Sequence, residues 1–289
     1  MGAGFSKPKN PIPGTDMAGT VESVGKNVTQ FRPGDPVFGE TIVAHQWIHG
    51  GAFAEYVSVH RDLLALKPAN VTFEQAASVP TSGFIALQNL RGLRQLRPGQ
   101  NVLINGGGGG VGALALQITK ACGAHVTAVD GTSKLGMLRS LGADEVVDYT
   151  REDFTRRGVR YDLIFDVPGN YPFSACRRAL KPDGRYVLIG HERYGASGKR
   201  VFGLVPHFLK LMVLSRFVKQ LRGPGSPLPT KKEAIAVLRE FLENGKITPI
   251  IDSTYHLSGV REALRHMIED EIHGKVIITP CGRSGSDGA

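Results

Sequence analysis

The run Gly106-Gly107-Gly108-Gly109-Gly110-Val111-Gly112 presents an anion with backbone rather than side chains. It follows the apolar stretch Asn101-Val102-Leu103-Ile104 and opens the helical stretch Ala113-Leu114-Ala115-Leu116-Gln117-Ile118. Glycines let a chain turn tightly and approach phosphates without a Cβ in the way, and the first N–H groups of a helix point at the anion. Gly107, Gly109 and Gly112 satisfy GxGxxG, with Gly110 and Val111 inside the pattern. Five consecutive glycines fit many patterns, a flexible loop included, so the context carries the reading. Gly123 stands where the helix should end, and Ala124-His125-Val126-Thr127-Ala128-Val129 reads as a second buried strand. That strand ends in Asp130, eighteen positions after Gly112. An acid there is placed to accept hydrogen bonds from the adenosine ribose hydroxyls. Strand, glycine turn, helix, strand and acid predict a dinucleotide site.

Such a turn needs a sheet to hold it. From residue 101 to about 190, short apolar runs alternate with helical patterns, as a parallel sheet covered by helices requires. Further strands are expected over 145–147, 161–165 and 185–189, with helices over 133–141, 153–157 and 171–180 between them. The last helix stops at Lys181-Pro182-Asp183-Gly184. The first 80 residues differ: Pro11, Pro13, Pro33, Pro36 and many glycines separate short strands such as 19–24 and 54–59, an irregular β domain. A helix over 231–243, ended by Asn244-Gly245, leads to a strand over 249–251, a helix over 260–268 and a strand over 275–279. The fold class is α/β.

Composition excludes several classes. A chain of 289 residues with 41% apolar and 21% charged side chains is ordinary for a globular protein of one or two domains. Cys122, Cys176 and Cys281 are isolated, which argues against a disulfide framework and a cysteine-rich zinc cluster and fits a reducing cytoplasm. His45, His49, His60 and His125 have no metal-ligand spacing, so no metal site is expected. The longest apolar stretch, 201–221, is interrupted by Pro206, His207, Lys210, Arg216 and Lys219 and cannot span a bilayer as a simple helix. A helix packed on a core, a dimer face and a membrane-surface helix all remain open for it. The net charge of +9 comes from dispersed cations, among them Arg156, Arg157, Arg160, Arg177, Arg178, Lys181, Lys199 and Arg200, which reads as solvated surface rather than a nucleic-acid site.

Five ordered motifs then make the combination specific. Pro13-Gly14-Thr15-Asp16-Met17-Ala18-Gly19, Phe31-Arg32-Pro33-Gly34-Asp35-Pro36-Val37-Phe38-Gly39, Gly51-Ala52-Phe53-Ala54-Glu55-Tyr56, Leu141-Gly142-Ala143-Asp144 and His273-Gly274-Lys275-Val276-Ile277 lie in order within residues 10–280. Together they resemble the zinc-independent quinone oxidoreductases of the alcohol dehydrogenase-like medium-chain dehydrogenase/reductase superfamily. The resemblance implies a discontinuous GroES-like catalytic domain wrapped around a doubly wound Rossmann domain, with the cofactor in the cleft between them. The corresponding boundaries are 1–88, 89–245 and 246–281, followed by a tail, 282–289, expected to be disordered. Zinc-dependent members carry a Gly-His-Glu motif where Gly14-Thr15-Asp16 stands here, and a four-cysteine lobe; neither is present. The resemblance also implies NADPH, a homodimer, and direct hydride transfer to a quinone or an α,β-unsaturated carbonyl.

By the same resemblance, Gly109, Gly110 and Val111 offer backbone to the pyrophosphate. Lys134 and Tyr149 match positions that hold the adenosine 2′-phosphate, and Asp166 to Gly169 with Gly190-His191 close the strand tips near the nicotinamide. As bare residues, Tyr149 also suits a packing role and Lys134 a solvated helix face. No catalytic side chain is assigned. Three departures stand out. Asp130 suits NADH, because a carboxylate repels a 2′-phosphate, whereas Lys134 favours NADPH. Ile85 replaces a hydroxyl residue found beside the nicotinamide amide. The lead before Pro13 is shorter than the family's, which implies a truncated catalytic domain. The competing class is a non-catalytic NADPH-binding relative with a structural, regulatory or RNA-binding role.

Overall fold

The structure is a computed structural model and describes residues 11–42, 50–91, 96–190, 205–221, 228–269 and 271–280. It forms two compact units, Met1–Phe84 with Thr230–Ala289, and Ile85–Pro229. The expectations placed on His45, His49, His191, Lys199, Arg200, Cys281, the first part of the 201–221 stretch and the tail lie outside the described residues.

The first unit opens with strands β1 (Asp16–Thr20), β2 (Pro36–Glu40) and β3 (Leu64–Leu66), antiparallel in the order β1-β2-β3. Two of the sequence motifs lace together ahead of β1. The N–H groups of Gly50 and Ala52 donate to the Gly14 carbonyl, and that of Phe53 donates to Pro13. Gly14 has φ +89°, and a Cβ there would lie 2.5 Å from Phe53 Cδ1, so only glycine fits. The strand expected over 19–24 instead covers Asp16–Thr20, because its partner begins at Pro36 and the chain before that proline turns away through Gly34. Val21 closes the pairing, its N–H donating to the Asp35 carbonyl and its carbonyl accepting from the Gly34 N–H, both at 2.9 Å. Residues 54–59 form no strand: their side chains alternate, but no ladder partner lies beside them among the described residues.

Helices α1 (Phe73–Ala77) and α2 (Pro80–Arg91) follow, and the unit boundary falls within α2. A β1 carboxylate caps α2: Asp16 Oδ1 accepts from the Thr81 N–H at 3.0 Å and from the Thr81 hydroxyl.

The second unit carries a parallel sheet. Its elements are β4 (Asn101–Asn105), α3 (Gly110–Ala121), β5 (His125–Asp130), α4 (Leu135–Ser140), β6 (Glu145–Asp148), β7 (Tyr161–Asp166), α5 (Phe173–Arg178), β8 (Leu180–Leu188) and α6 (Val205–Leu214). Strand order is β6-β5-β4-β7-β8, so the winding reverses between β4 and β7. A crevice outside the carboxyl ends of those strands is where such sheets bind ligands. Val102, Leu103 and Ile104 at the sheet centre are fully buried, and α3 is buried from Gly112 to Thr119, so strand and helix are locked together. The helix expected over 153–157 is one 3₁₀ turn, Phe154–Arg156, capped by Asp153 and ended by Gly158 at φ +75°. β8 starts earlier than expected because residues 181–184 bulge out of the ladder between the Tyr161 and Leu163 pairings.

The chain then returns to the first unit with α7 (Lys231–Glu243), β9 (Ile251–His256), α8 (Val260–Glu269) and β10 (Lys275–Thr279), the two strands pairing in parallel. β9 begins two residues later than expected, since the Ile250 carbonyl first accepts from the Lys275 N–H. The unit boundary at Pro229/Thr230 has a physical origin. Lys231 of α7 pairs with Glu40 of β2 and donates to the Ile42 carbonyl at 2.9 Å, and Leu238 packs where a Cβ on Gly83 would stand, 2.6 Å away. Burial pushes the Glu40 carboxyl pKa up, with Lys231 pulling it back in part.

Lys231→Ala leaves that buried carboxylate without its cation. The expected loss is about 3–5 kcal/mol in denaturant unfolding, with most of it recovered in the Lys231→Met/Glu40→Gln double variant.

Candidate functional site

The site is assembled at the carboxyl ends of the five parallel strands. β4 ends at Asn105, and Gly106 takes the left-handed conformation, φ +80°. The N–H groups of Gly106 and Gly107 both donate to the Val129 carbonyl, at 2.9 and 3.1 Å, which ties the turn to β5. A Cβ on Gly112 would lie 2.0 Å from the Gly106 carbonyl oxygen, so α3 runs directly into the turn. Gly109 faces open space, with nothing within 4 Å of its would-be Cβ. It is the N-cap of α3, carries no capping side chain, and no acid occupies the first turn. The N–H groups of Gly110, Val111 and Gly112 therefore present the positive end of a buried helix to that space.

Asp130, Lys134 and Tyr149 meet beside the turn. Asp130 Oδ2 accepts from the Gly108 N–H at 2.7 Å and Oδ1 from the Gly131 N–H at 2.9 Å. Lys134 Nζ is 3.9 Å from the same carboxylate, and the Lys134 chain lies over Gly108, whose Cβ would meet Cδ at 2.4 Å. The Tyr149 N–H donates to the Asp130 carbonyl at 3.2 Å, and its ring is half exposed at the tip of β6. Under this rim, hydrogen bonds from Thr132 and Thr150 hold the Asp148 carboxyl below the usual carboxylate range.

Asp166 sits elsewhere in role. Its side chain is fully buried, accepting from Asn105 Nδ2, the Gly169 N–H and the Tyr186 hydroxyl at 2.8, 2.9 and 2.7 Å. Gly169 and Gly190 take left-handed turns just beyond β7 and β8, φ +69° and +72°. Sequence reasoning included Gly106 and Gly108 in the glycine run but gave neither a role of its own, because the flexible register of such a run left several fits. It missed Asn105 and Tyr186, whose partner is distant in the chain.

Asp16 is engaged by Thr81 and lies 3.7 Å from Lys275 Nζ, and among the described residues no three His, Cys, Asp or Glu side chains converge.

Comparison with known proteins places this geometry. A model of the alcohol dehydrogenase GroES-like domain matches residues 2–69, and one of a zinc-binding dehydrogenase matches 141–278. The chloroplast envelope quinone oxidoreductase homolog of Arabidopsis thaliana is 33% identical, over 93% of this chain and 80% of that one. The chain belongs to the quinone oxidoreductase branch of the medium-chain dehydrogenase/reductase superfamily. The chloroplastic NADPH-dependent alkenal/one oxidoreductase of the same plant is 32% identical over 94% of this chain, which spans 65% of its length, less than two thirds. The quinone oxidoreductase of Coxiella burnetii superposes with a TM-score of 0.76 at 27% identity, covering 93% of this chain and 80% of that one. The plant alkenal/one oxidoreductase is named as NADPH-dependent, and a solved neighbour, 28% identical with a TM-score of 0.78, as an NAD-dependent alcohol dehydrogenase.

Gly109→Ala tests the turn separately from the fold. Alanine adopts φ −86°, ψ 170° without strain, so thermal stability should be unchanged. A methyl in the open space should nevertheless weaken dinucleotide binding by about tenfold or more in a fluorescence titration. Gly112→Ala should lose stability and binding together.

Proposed function

We propose that this chain is a zinc-independent reductase that uses NADPH to reduce a quinone or an α,β-unsaturated carbonyl. The observation that carries the reading is the uncapped α3 N-terminus behind the Gly106 turn, with Lys134 and Tyr149 at the neighbouring strand tips. Bound NADPH would supply the hydride, and the accompanying proton can come from water, so no nucleophile is required. The N–H groups of Gly109, Gly110 and Val111 hold the pyrophosphate. Lys134 turns from Asp130 to the 2′-phosphate, Tyr149 packs beside the adenosine, and Gly169 and Gly190 let backbone approach the ligand beyond β7 and β8. The names of the Arabidopsis relatives support both acceptor classes.

Purified protein should oxidise NADPH with members of a quinone and enone panel, at a rate a metal chelator leaves unchanged. Lys134→Ala should raise the NADPH Kd about tenfold and leave NADH within about twofold, the effect of one charge-assisted contact. Tighter binding of NADH by the wild type would overturn the NADPH assignment. Tight nucleotide binding without turnover would leave the non-catalytic role.

The homodimer finds support in α6 and the turn after it. Leu211 and Leu214 pack inward, while Leu209, Met212, Val213 and Phe217 are 53–79% exposed, an apolar face suited to burial against another chain. Light scattering at micromolar concentration should give twice the chain mass, reduced to the monomer by Phe217→Asp. A cytoplasmic setting is supported by Cys122 and Cys176, both free thiols.

A further inference from the structure

Asp166 is a fully buried carboxylate held by donors from three segments. Asn105 Nδ2 comes from the end of β4, the Gly169 N–H from the turn after β7, and the Tyr186 hydroxyl from β8. Asn105 Nδ2 also donates to Asn170 Oδ1 at 3.0 Å, and the Asp166 carbonyl accepts from Ile189 at 2.8 Å. Burying a carboxylate is costly unless several donors meet it, and an apolar residue would hold the sheet as well. What the carboxylate adds is a rigid cross-tie among three strand tips. Its mechanical consequence is visible at Gly106. A Cβ there would lie 2.8 Å from Pro168 Cδ and 3.2 Å from Val167 Cβ, so the chain just beyond β7 is the wall on which the glycine turn rests. That wall is fastened by the Gly169 N–H to Asp166, and Asp166 is fastened to Tyr186.

We propose that Tyr186, Asp166 and Asn105 are positioning residues for pyrophosphate recognition. They set the height of the Gly106 turn against the α3 N-terminus without touching the ligand. The inference rests on the nucleotide reading above. It separates the pyrophosphate seat from the 2′-phosphate contacts of Lys134 and Tyr149, which hang from β5 and β6 on the other side of β4.

The test is Tyr186→Phe, which keeps the ring against Phe173, 5.4 Å between centroids, and removes one donor. Calorimetric Kd values are measured for NADPH, ADP and adenosine 2′-monophosphate. The first two carry a pyrophosphate and the third does not. The Kd values for NADPH and ADP should rise about tenfold, the scale of one hydrogen bond to a charged group, with adenosine 2′-monophosphate within about twofold. Asn105→Ala should give the same split, and stands in should the tyrosine variant fail to fold. A parallel loss for all three ligands, or no change for any, overturns the positioning role. A wild-type protein that binds none of the three overturns the nucleotide reading and the positioning role with it.

Discussion

The approach of α3 to the Gly106 carbonyl sets the geometry of everything around it. A side chain on residue 112 would place its Cβ 2.0 Å from that oxygen and 2.8 Å from Gly107 Cα. With glycine there, the helix axis is aimed at the turn and its N–H groups open onto the space beside Gly109. The helix cannot relax away, because Ala113 to Ile118 are buried against the sheet. The turn cannot relax either, since two of its N–H groups share the Val129 carbonyl. An anion site of this kind consists of oriented peptide dipoles, and its strength depends on their being fixed before a ligand arrives.

The same logic explains where sequence reasoning reached and where it stopped. α7 and β10 match their expected bounds because their signals are local: Thr230 and Glu233 form a capping box, and Lys275 to Thr279 is a β-branched run. The strands around the glycine turn match within a residue or two for the same reason. In the first unit, pairing decides the strands: the 19–24 run keeps its ladder only through Thr20, opposite Pro36, and the 54–59 run, with no partner among the described residues, makes none. The site divides likewise. Asp130 and Lys134 are close in the chain and were legible, whereas Asn105 and Tyr186 reach Asp166 across 61 and 20 residues. No spacing rule announces a carboxylate whose donors come from separate strands.

Charge is handled in two distinct ways. On the surface of the second unit, Arg151 and Arg156 pair with Asp148 and Asp153 three residues away, and Arg157 reaches Glu145 and Glu152. Such pairs contribute little each, about 0–1 kcal/mol. In the interior, Glu40, Asp16 and Asp166 each join segments far apart in the chain. There the carboxylate acts as a fastener, and removing its donors costs more than a surface pair contributes.

Asp130 lies between these cases, and it bears on nucleotide choice. A carboxylate at the tip of β5 ordinarily favours unphosphorylated ribose through its free lone pairs and its negative field. Here one oxygen accepts from Gly108 and the other from Gly131, with Lys134 Nζ 3.9 Å from the second, and the side chain is only 12% exposed. Its field is directed into the glycine turn, which it braces from the side opposite Pro168. The acid that argues for NADH in the sequence thus has both carboxylate oxygens engaged by backbone N–H groups of the fold, Gly108 and Gly131.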